Sequence, residues 1–518
     1  MAKIQNGKKV LIRIENLKQY FPLKKKSIFA EQLYVRANDD VSLDIYEGET
    51  LGLVGESGCG KSTLGRTLLQ LYNQTDGRTI YYGRELDEIA PQYVVKTLKN
   101  LEKIREKYKE AKKVEEEARK AYEKAAEGEE KYKAINKLRA AEKVSKDYFL
   151  DMVQLIGGFY LAEDLKPVAD ILLKEHNAAI KVRRIKNKIQ DYQLKLDNKV
   201  AKLRDKGNSE KEIEEKVKTL KEKIAEQKAA LKEAEKKLEE ILATIEKMLD
   251  PYRDHPDFER LESYRDKGID LAKLTVDEMR IVRKDLQLIF QDPYSSLNPK
   301  MTVGQIISEG LFAHKMFSPN DPKLQDYVLD VMDKCGLQNY FVHRYPHQFS
   351  GGQRQRIGIA RSVALKPKFI VCDEAVSALD VSIQSQILNL LQDLKEQEKL
   401  TYLFISHDLS VIKHISDRVA VMYLGNVVEL AETEELYQRP MHPYTEALLM
   451  AIPTTDIDVD KKEVYVLEGD IPSPIRPPAG CKFHTRCRYA TEICKNVPPK
   501  LEEASPGHFV ACHHKLNQ

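Results

Sequence analysis

Gly55-Glu56-Ser57-Gly58-Cys59-Gly60-Lys61-Ser62-Thr63 has the residue types and spacing of a phosphate-binding loop, G-x-x-x-x-G-K-[ST]. Glycines let backbone N–H groups converge on phosphate oxygens, and the start of the next helix adds its positive dipole end. Lys61 can reach the β- and γ-phosphates of a nucleotide, and the Ser62 hydroxyl can ligate Mg²⁺. Cleaving a triphosphate also needs a metal clamp, a positioned water and charge stabilisation on the γ-phosphate. Asp373, ending an apolar run, suits the Mg²⁺ shell, and Glu374 beside it suits orienting and deprotonating the attacking water. Gln291 can contact both metal and water, and His407 can reach the γ-phosphate. ATP and Mg²⁺ are the cofactors this set calls for.

The segments that must carry these groups are short and apolar. Residues 51–54 read as a buried strand before the loop and 64–71 as a helix after it. Residues 286–290, 369–372 and 403–405 read as further strands, each delivering a polar group at its C-terminal end, where open α/β sheets bind ligands. Ahead of the loop, Val10, Ile12, Ile14 and then Val41, Leu43, Ile45 alternate with polar residues, which predicts antiparallel strands. Tyr20 and Phe21 end the first of them, where an aromatic face could stack on a base.

A chain of 518 residues exceeds a single core, and about two to four domains are expected. Net charge is only +3, which gives no electrostatic case for nucleic acid. No apolar run reaches bilayer-spanning length and no signal-peptide core opens the chain, so a cytoplasmic protein with a peripheral membrane role is expected. From about residue 88 to 272 the composition turns to Lys, Glu, Ala and Leu. Ile213, Val217, Leu220, Ile224, Leu231, Ala234, Leu238, Ile241, Ile245 and Met248 recur by threes and fours, the seam of a coiled coil. Val182, Ile185, Ile189, Tyr192 and Leu196 repeat the spacing, and Ser209 with Glu212 forms a capping box after Gly207-Asn208. Two such arms predict an antiparallel hairpin, preceded by a helix pair over about 91–126 and 130–156. The apolar stretch 148–161 is the expected contact for an outside partner.

Near the C-terminus Cys481, Cys487, Cys494 and Cys512 form a candidate ligand set. Four thiolates suit zinc or an iron–sulfur cluster equally on softness, and His484, His508, His513 and His514 could replace one of them.

The ordered set of motifs resembles the ATP-binding subunit of an ABC transporter: Walker A, the Q-loop at Gln291, the signature Ser350-Gly351-Gly352-Gln353, Walker B, the D-loop through Asp380 and the H-loop at His407. Residues 291–299, 345–353, 377–386 and 442–445 narrow it to the F-type ATPase subunit of oligopeptide and dipeptide importers. The resemblance implies that Phe21 stacks on adenine and that Ser350, Gly351, Gly352, Gln353 and Asp380 act on nucleotide held by a partner subunit. It implies as partners a D-type ABC ATPase, two permease subunits and an external peptide-binding protein, with the chain on the cytoplasmic face of the membrane and no nucleic acid involved. It also implies a [4Fe–4S] cluster on the four cysteines, through the Cys-x-Phe-x-x-Arg-Cys segment from Cys481 to Cys487, with Zn²⁺ as the alternative.

The expected fold is α/β, an ABC-type P-loop domain with an antiparallel β subdomain and a helical signature subdomain. Residues 1–87 and 274–452 form its two parts, 88–273 a helical coiled-coil insertion whose partner is unknown, and 453–518 a small Cys-rich C-terminal region. Two departures stand out: Ala375 replaces the proline usual after the catalytic Glu, and nothing in the resemblance accounts for the insertion. A rival class, soluble coiled-coil ABC ATPases acting on DNA or ribosomes, fits less well. There the coiled coil follows the Q-loop or two cassettes share one chain, whereas here it precedes Gln291 and there is one set of motifs.

Overall fold

The computed structural model describes residues 4–517 apart from 6, 26, 28, 30, 453–466 and 468. The expected start of the C-terminal region at 453 lies outside the described residues. The chain opens with β1 (Ile4–Gln5), β2 (Lys8–Pro22) and β3 (Tyr34–Tyr46), then enters the wholly buried β4 (Thr50–Val54) and α1 (Lys61–Leu68). β5 (Asp76–Tyr81) returns to β2, and β6 (Ile269–Asp270), far along the chain, pairs with β5; every pairing in this sheet is antiparallel. Ile12, Ile14, Val41 and Ile45, the alternating apolar positions, face the core.

The second sheet adds β7 (Leu286–Ile289), β8 (Phe369–Asp373), β9 (Thr401–Ile405), β10 (Arg418–Tyr423), β11 (Asn426–Glu432), β12 (Glu502–Ser505) and β13 (His508–Val510). Its order is β12-β13-β11-β10-β4-β9-β8-β7. The five strands from β10 to β7 are parallel, and β11, β13 and β12 extend them antiparallel. A parallel centre is covered on both faces, which is why β4, β8 and β9 are continuous apolar runs with every residue buried. Because these strands run the same way, their C-terminal ends share one edge, and the candidate groups gather there.

Between β5 and β6 the chain leaves the sheet as helices, chiefly α2 (Leu101–Lys124), α3 (Glu129–Ile156), α4 (Lys166–Asp205) and α5 (Glu210–Leu249). α2 packs on α3, and α4 packs along α5. The Ser209 and Glu212 capping box starts α5, and the two 40-residue helices run for roughly 60 Å. Val182, Ile185 and Ala234 pack together partway along the pair, and Leu196, Ile213, Val217 and Ile224 form a further cluster.

The stretch 148–161 is not an exposed contact surface. Met152, Ile156 and Phe159 are fully buried against Val168, Leu172, Ile245, Leu249 and Phe258. A helical body standing off a sheet has to bury apolar surface of its own, and it spends this stretch doing so. Its end also differs from the expected boundary at 273: Ile269 and Asp270 pair with Tyr81 and Ile80, so the sheet reclaims them.

Beyond the strand ends, α6 (Val303–Ala313), α7 (Lys323–Lys334) and α8 (Gly351–Val363) form a helical layer around Ile307, Leu311, Met332, Ile357 and Ile359. α9 (Val381–Glu398) packs behind α8.

The excursion leaves and re-enters at one point, since the Leu86 N–H donates to the Lys267 carbonyl at 3.0 Å. It is fastened to the sheet at Arg78, which donates to the Asp147 carbonyl at 2.8 Å and the Asp151 carboxylate at 3.0 Å. Joining Leu86 to Lys267 by a short Gly-Ser turn is therefore expected to leave a folded, ATP-binding cassette. Loss of the partners of buried Arg78 should cost about 1–3 kcal/mol. Denaturant unfolding and ATP titration of that chain check this, and an unfolded product would show that the helices belong to the cassette core.

Candidate functional site

β4 ends at Gly55, whose φ is 150° and where a side chain would begin 2.1 Å from the Met422 carbonyl oxygen of β10. The loop closes at Gly60, with φ 105° and a Cβ position 2.1 Å from the Ala37 carbonyl oxygen of β3. Only glycine fits either approach. Gly60 also offers no side chain to cap α1, so phosphate oxygens are the natural partners of its first N–H groups. The Asn38 side-chain amide donates to the Gly60 carbonyl at 3.1 Å, which ties the loop to β3. Lys61, the first residue of α1, is buried and its ammonium donates to the Gly55 and Glu56 carbonyls at 2.7 and 3.1 Å. Its acceptors among the described residues are these two carbonyls and, at 3.9 Å, the Cys59 sulfur, with no carboxylate, which suits the site to a polyanion.

Asp373, the last residue of β8, is buried; one carboxylate oxygen accepts from Arg66 of α1 at 3.1 Å and the other has no hydrogen-bond partner among the described residues. A buried, unpartnered carboxylate oxygen fits a metal–water shell, and Ser62 lies one residue beyond Lys61. Mg²⁺ therefore suits this donor set.

Glu374 follows with φ 48°, a left-handed conformation that side-chain-bearing residues rarely adopt and that costs about 1 kcal/mol or more. With Ala375 after it, Glu374 escapes the restriction a proline would place on its backbone. Gln291, just past β7, donates to one Glu374 oxygen at 2.7 Å, and the His407 Nδ1, just past β9, lies 3.6 Å from the other. Three strand ends thus bring Gln291, Glu374 and His407 to one carboxylate.

Of the remaining expected site residues, all but Phe21 sit at helix starts. Ser350 caps α8 through a reciprocal pair with Gln353; Ser350 and Gly351 are exposed and Gly352 is buried. Asp380 caps α9, accepting from the Ile383 N–H at 3.0 Å. Phe21, at the end of β2, packs edge-on to Tyr72 beyond α1, with ring centroids 5.2 Å apart. Four contributors escaped the sequence reading: Asn38, Arg66, Tyr444, whose hydroxyl accepts from the Glu56 N–H at 2.9 Å, and Arg486, which pairs with the Glu56 carboxylate. No spacing rule links Arg66 to Asp373 or Arg486 to Glu56.

Burial pushes the Cys481 thiol up to about 12, with the other three thiols adding to the rise; burial likewise pushes Cys512 up to about 11 and raises Cys487. Four free thiols in one segment are a donor set that suits a cationic, thiophilic group, which would draw off their protons. Among the described residues no three His, Cys, Asp or Glu side chains are gathered as ligands for a single ion. His484, His508, His513 and His514 each have a ring nitrogen bonded to a partner other than a thiol, His508 to the buried Glu429 carboxylate at 2.7 Å.

Residues 38–158 and 241–377 match the ABC transporter family, and residues 428–494 match the oligopeptide/dipeptide transporter C-terminal region. The chain is 53% identical over 249 residues to the oligopeptide transport ATP-binding protein AppF of Bacillus subtilis, covering 48% of this chain and 75% of that protein. It is 54% identical over 247 residues to the oligopeptide transport ATP-binding protein OppF of Salmonella typhimurium, covering 47% and 73%.

Proposed function

The chain belongs to the ATP-binding subunits of oligopeptide ABC transporters, and from that premise we propose how its residues hydrolyse ATP to drive peptide import. Membership in this family also decides against the soluble coiled-coil ATPases. The observation that carries the mechanism is the convergence of Gln291 and His407 on the Glu374 carboxylate.

The loop Gly55–Thr63 binds the phosphates through its backbone, with Lys61 transferring its hydrogen bonds from the Gly55 and Glu56 carbonyls to the β- and γ-oxygens. Ser62, Asp373 and Gln291 would hold Mg²⁺, which when bound would supply neutralisation of the phosphate charge. Glu374 takes the proton of the attacking water, and Gln291 keeps its carboxylate aimed. His407 reaches the γ-phosphate from the neighbouring strand end. Phe21 stacks on adenine. Ser350, Gly351, Gly352, Gln353 and Asp380 act on the nucleotide of a second, D-type ATPase, and the exposure of Ser350, Gly351 and Asp380 supports that role. The pair docks on two permease subunits at the cytoplasmic face, fed by an external peptide-binding protein.

Glu374→Gln in the assembled transporter should lower ATP turnover on the order of 10²-fold or more while ATP binding persists. Wild-type turnover would remove Glu374 from the role of base.

We also assign a [4Fe–4S] cluster to Cys481, Cys487, Cys494 and Cys512, supported by the family resemblance and by four free thiols in one C-terminal segment. The cluster would act as a clip on a segment with little core of its own. Protein purified without oxygen should carry iron and sulfide in equal amounts, and a colourless protein holding one zinc would refute the cluster.

A further inference from the structure

Glu56 is the second residue of the phosphate-binding loop, and three of its groups are used. Its N–H donates to the Tyr444 hydroxyl, its carbonyl accepts from Lys61, and its carboxylate receives both terminal nitrogens of Arg486, at 2.8 and 3.1 Å. The Arg486 side chain is 6% exposed and its guanidinium lies 6.0 Å from the Tyr423 ring centroid. A bidentate, largely desolvated arginine–carboxylate pair fixes both position and orientation.

Arg486 belongs to the C-terminal tail, and the tail is fastened just ahead of this contact. The Phe483 ring is buried between Tyr423 and Tyr444, with centroids 5.2 and 5.4 Å away. Lys482 donates at 3.0 Å to the Asp39 carboxylate and at 3.0 Å to the Leu424 carbonyl. Asp39 adjoins Asn38, whose amide holds the Gly60 carbonyl, so the two tail cations brace opposite ends of the loop. Further back, the Pro474 carbonyl accepts from the Arg36 N–H of β3 at 3.1 Å.

We propose that Arg486 is a positioning residue of the ATPase site, holding the phosphate-binding loop in its nucleotide-binding shape through Glu56. The inference rests on the loop being the ATP site, as concluded above. Neither Arg486 nor the Glu56 carboxylate meets the reacting atoms in this scheme; both act on the backbone N–H groups that do. The loop's own glycines cannot supply this restraint, because they have no side chains to anchor.

The test is a double-variant cycle on Mg-ADP affinity, measured by calorimetry on the full chain, with KM and kcat for ATP in the assembled transporter. Arg486→Met keeps the aliphatic stem over Tyr423 and removes the charge. It should raise the Mg-ADP Kd and the ATP KM roughly tenfold, the equivalent of one net charge-assisted pair, with kcat at saturating ATP changed less than about threefold. Glu56→Gln should do the same, the double variant should be no worse than either single one, and Arg486→Lys should recover part of the loss. Wild-type affinity in Arg486→Met, or additive effects in the double variant, would overturn the assignment and leave the ATPase reading standing. Failure of the unmutated chain to bind Mg-ADP would overturn both.

Discussion

A loop that binds polyphosphate through backbone N–H groups has to be bare of side chains where the ligand lies, and a bare chain is a flexible one. The restraint must come from its neighbours. Here β10 closes on Gly55, β3 closes on Gly60, Asn38 holds the Gly60 carbonyl, and Tyr444 and Arg486 hold Glu56. These contacts come from the N-terminal sheet, the central sheet and two separate C-terminal segments. Binding then need not include the full entropic cost of ordering the loop, which is on the order of 1–2 kcal/mol for each residue fixed.

The same logic explains why the parts of the chain cannot be shuffled freely. The parallel strands set the carboxyl edge, and Gln291, Glu374 and His407 meet only because β7, β8 and β9 are neighbours in register. The helical excursion obeys a looser rule. Having its own apolar core, it is joined to the cassette by polar fastenings, such as those of Arg78 to Asp151, Lys143 to Asp76 and Gln92 to Glu278. Two of them reach the tail: Asn136 of α3 donates to the Asn496 carbonyl at 3.0 Å and Arg139 to that of Pro498. The excursion and the cysteine segment therefore touch, although they are separated along the chain by most of the ATPase domain.

Much of the site was legible because phosphate chemistry imposes local patterns. The glycine spacing of 55–60 and the strand-end positions of Gln291, Asp373, Glu374 and His407 are properties of short segments. What escaped was long-range. The pairing of Arg66 with Asp373 joins a helix to a strand end from the other half of the domain, and no periodicity marks it. The return of Ile269 and Asp270 to β5 is a two-residue ladder, too short to carry an alternation signal. The stretch 148–161 misled for the opposite reason. Its apolar pattern was correctly read, but a pattern shows only that a face must be buried, and here α4, α5 and the residues around Phe258 bury it.

The central claim is that the phosphate-binding loop is held in shape before nucleotide arrives. Backbone amide relaxation of glycine-labelled protein, recorded without nucleotide, addresses it at Gly55 and Gly60. The contacts described here predict order parameters for both near the rigid-backbone value of about 0.85. Values below about 0.6 that rise only on adding Mg-ATP would show a loop ordered by its ligand, and would contradict the account.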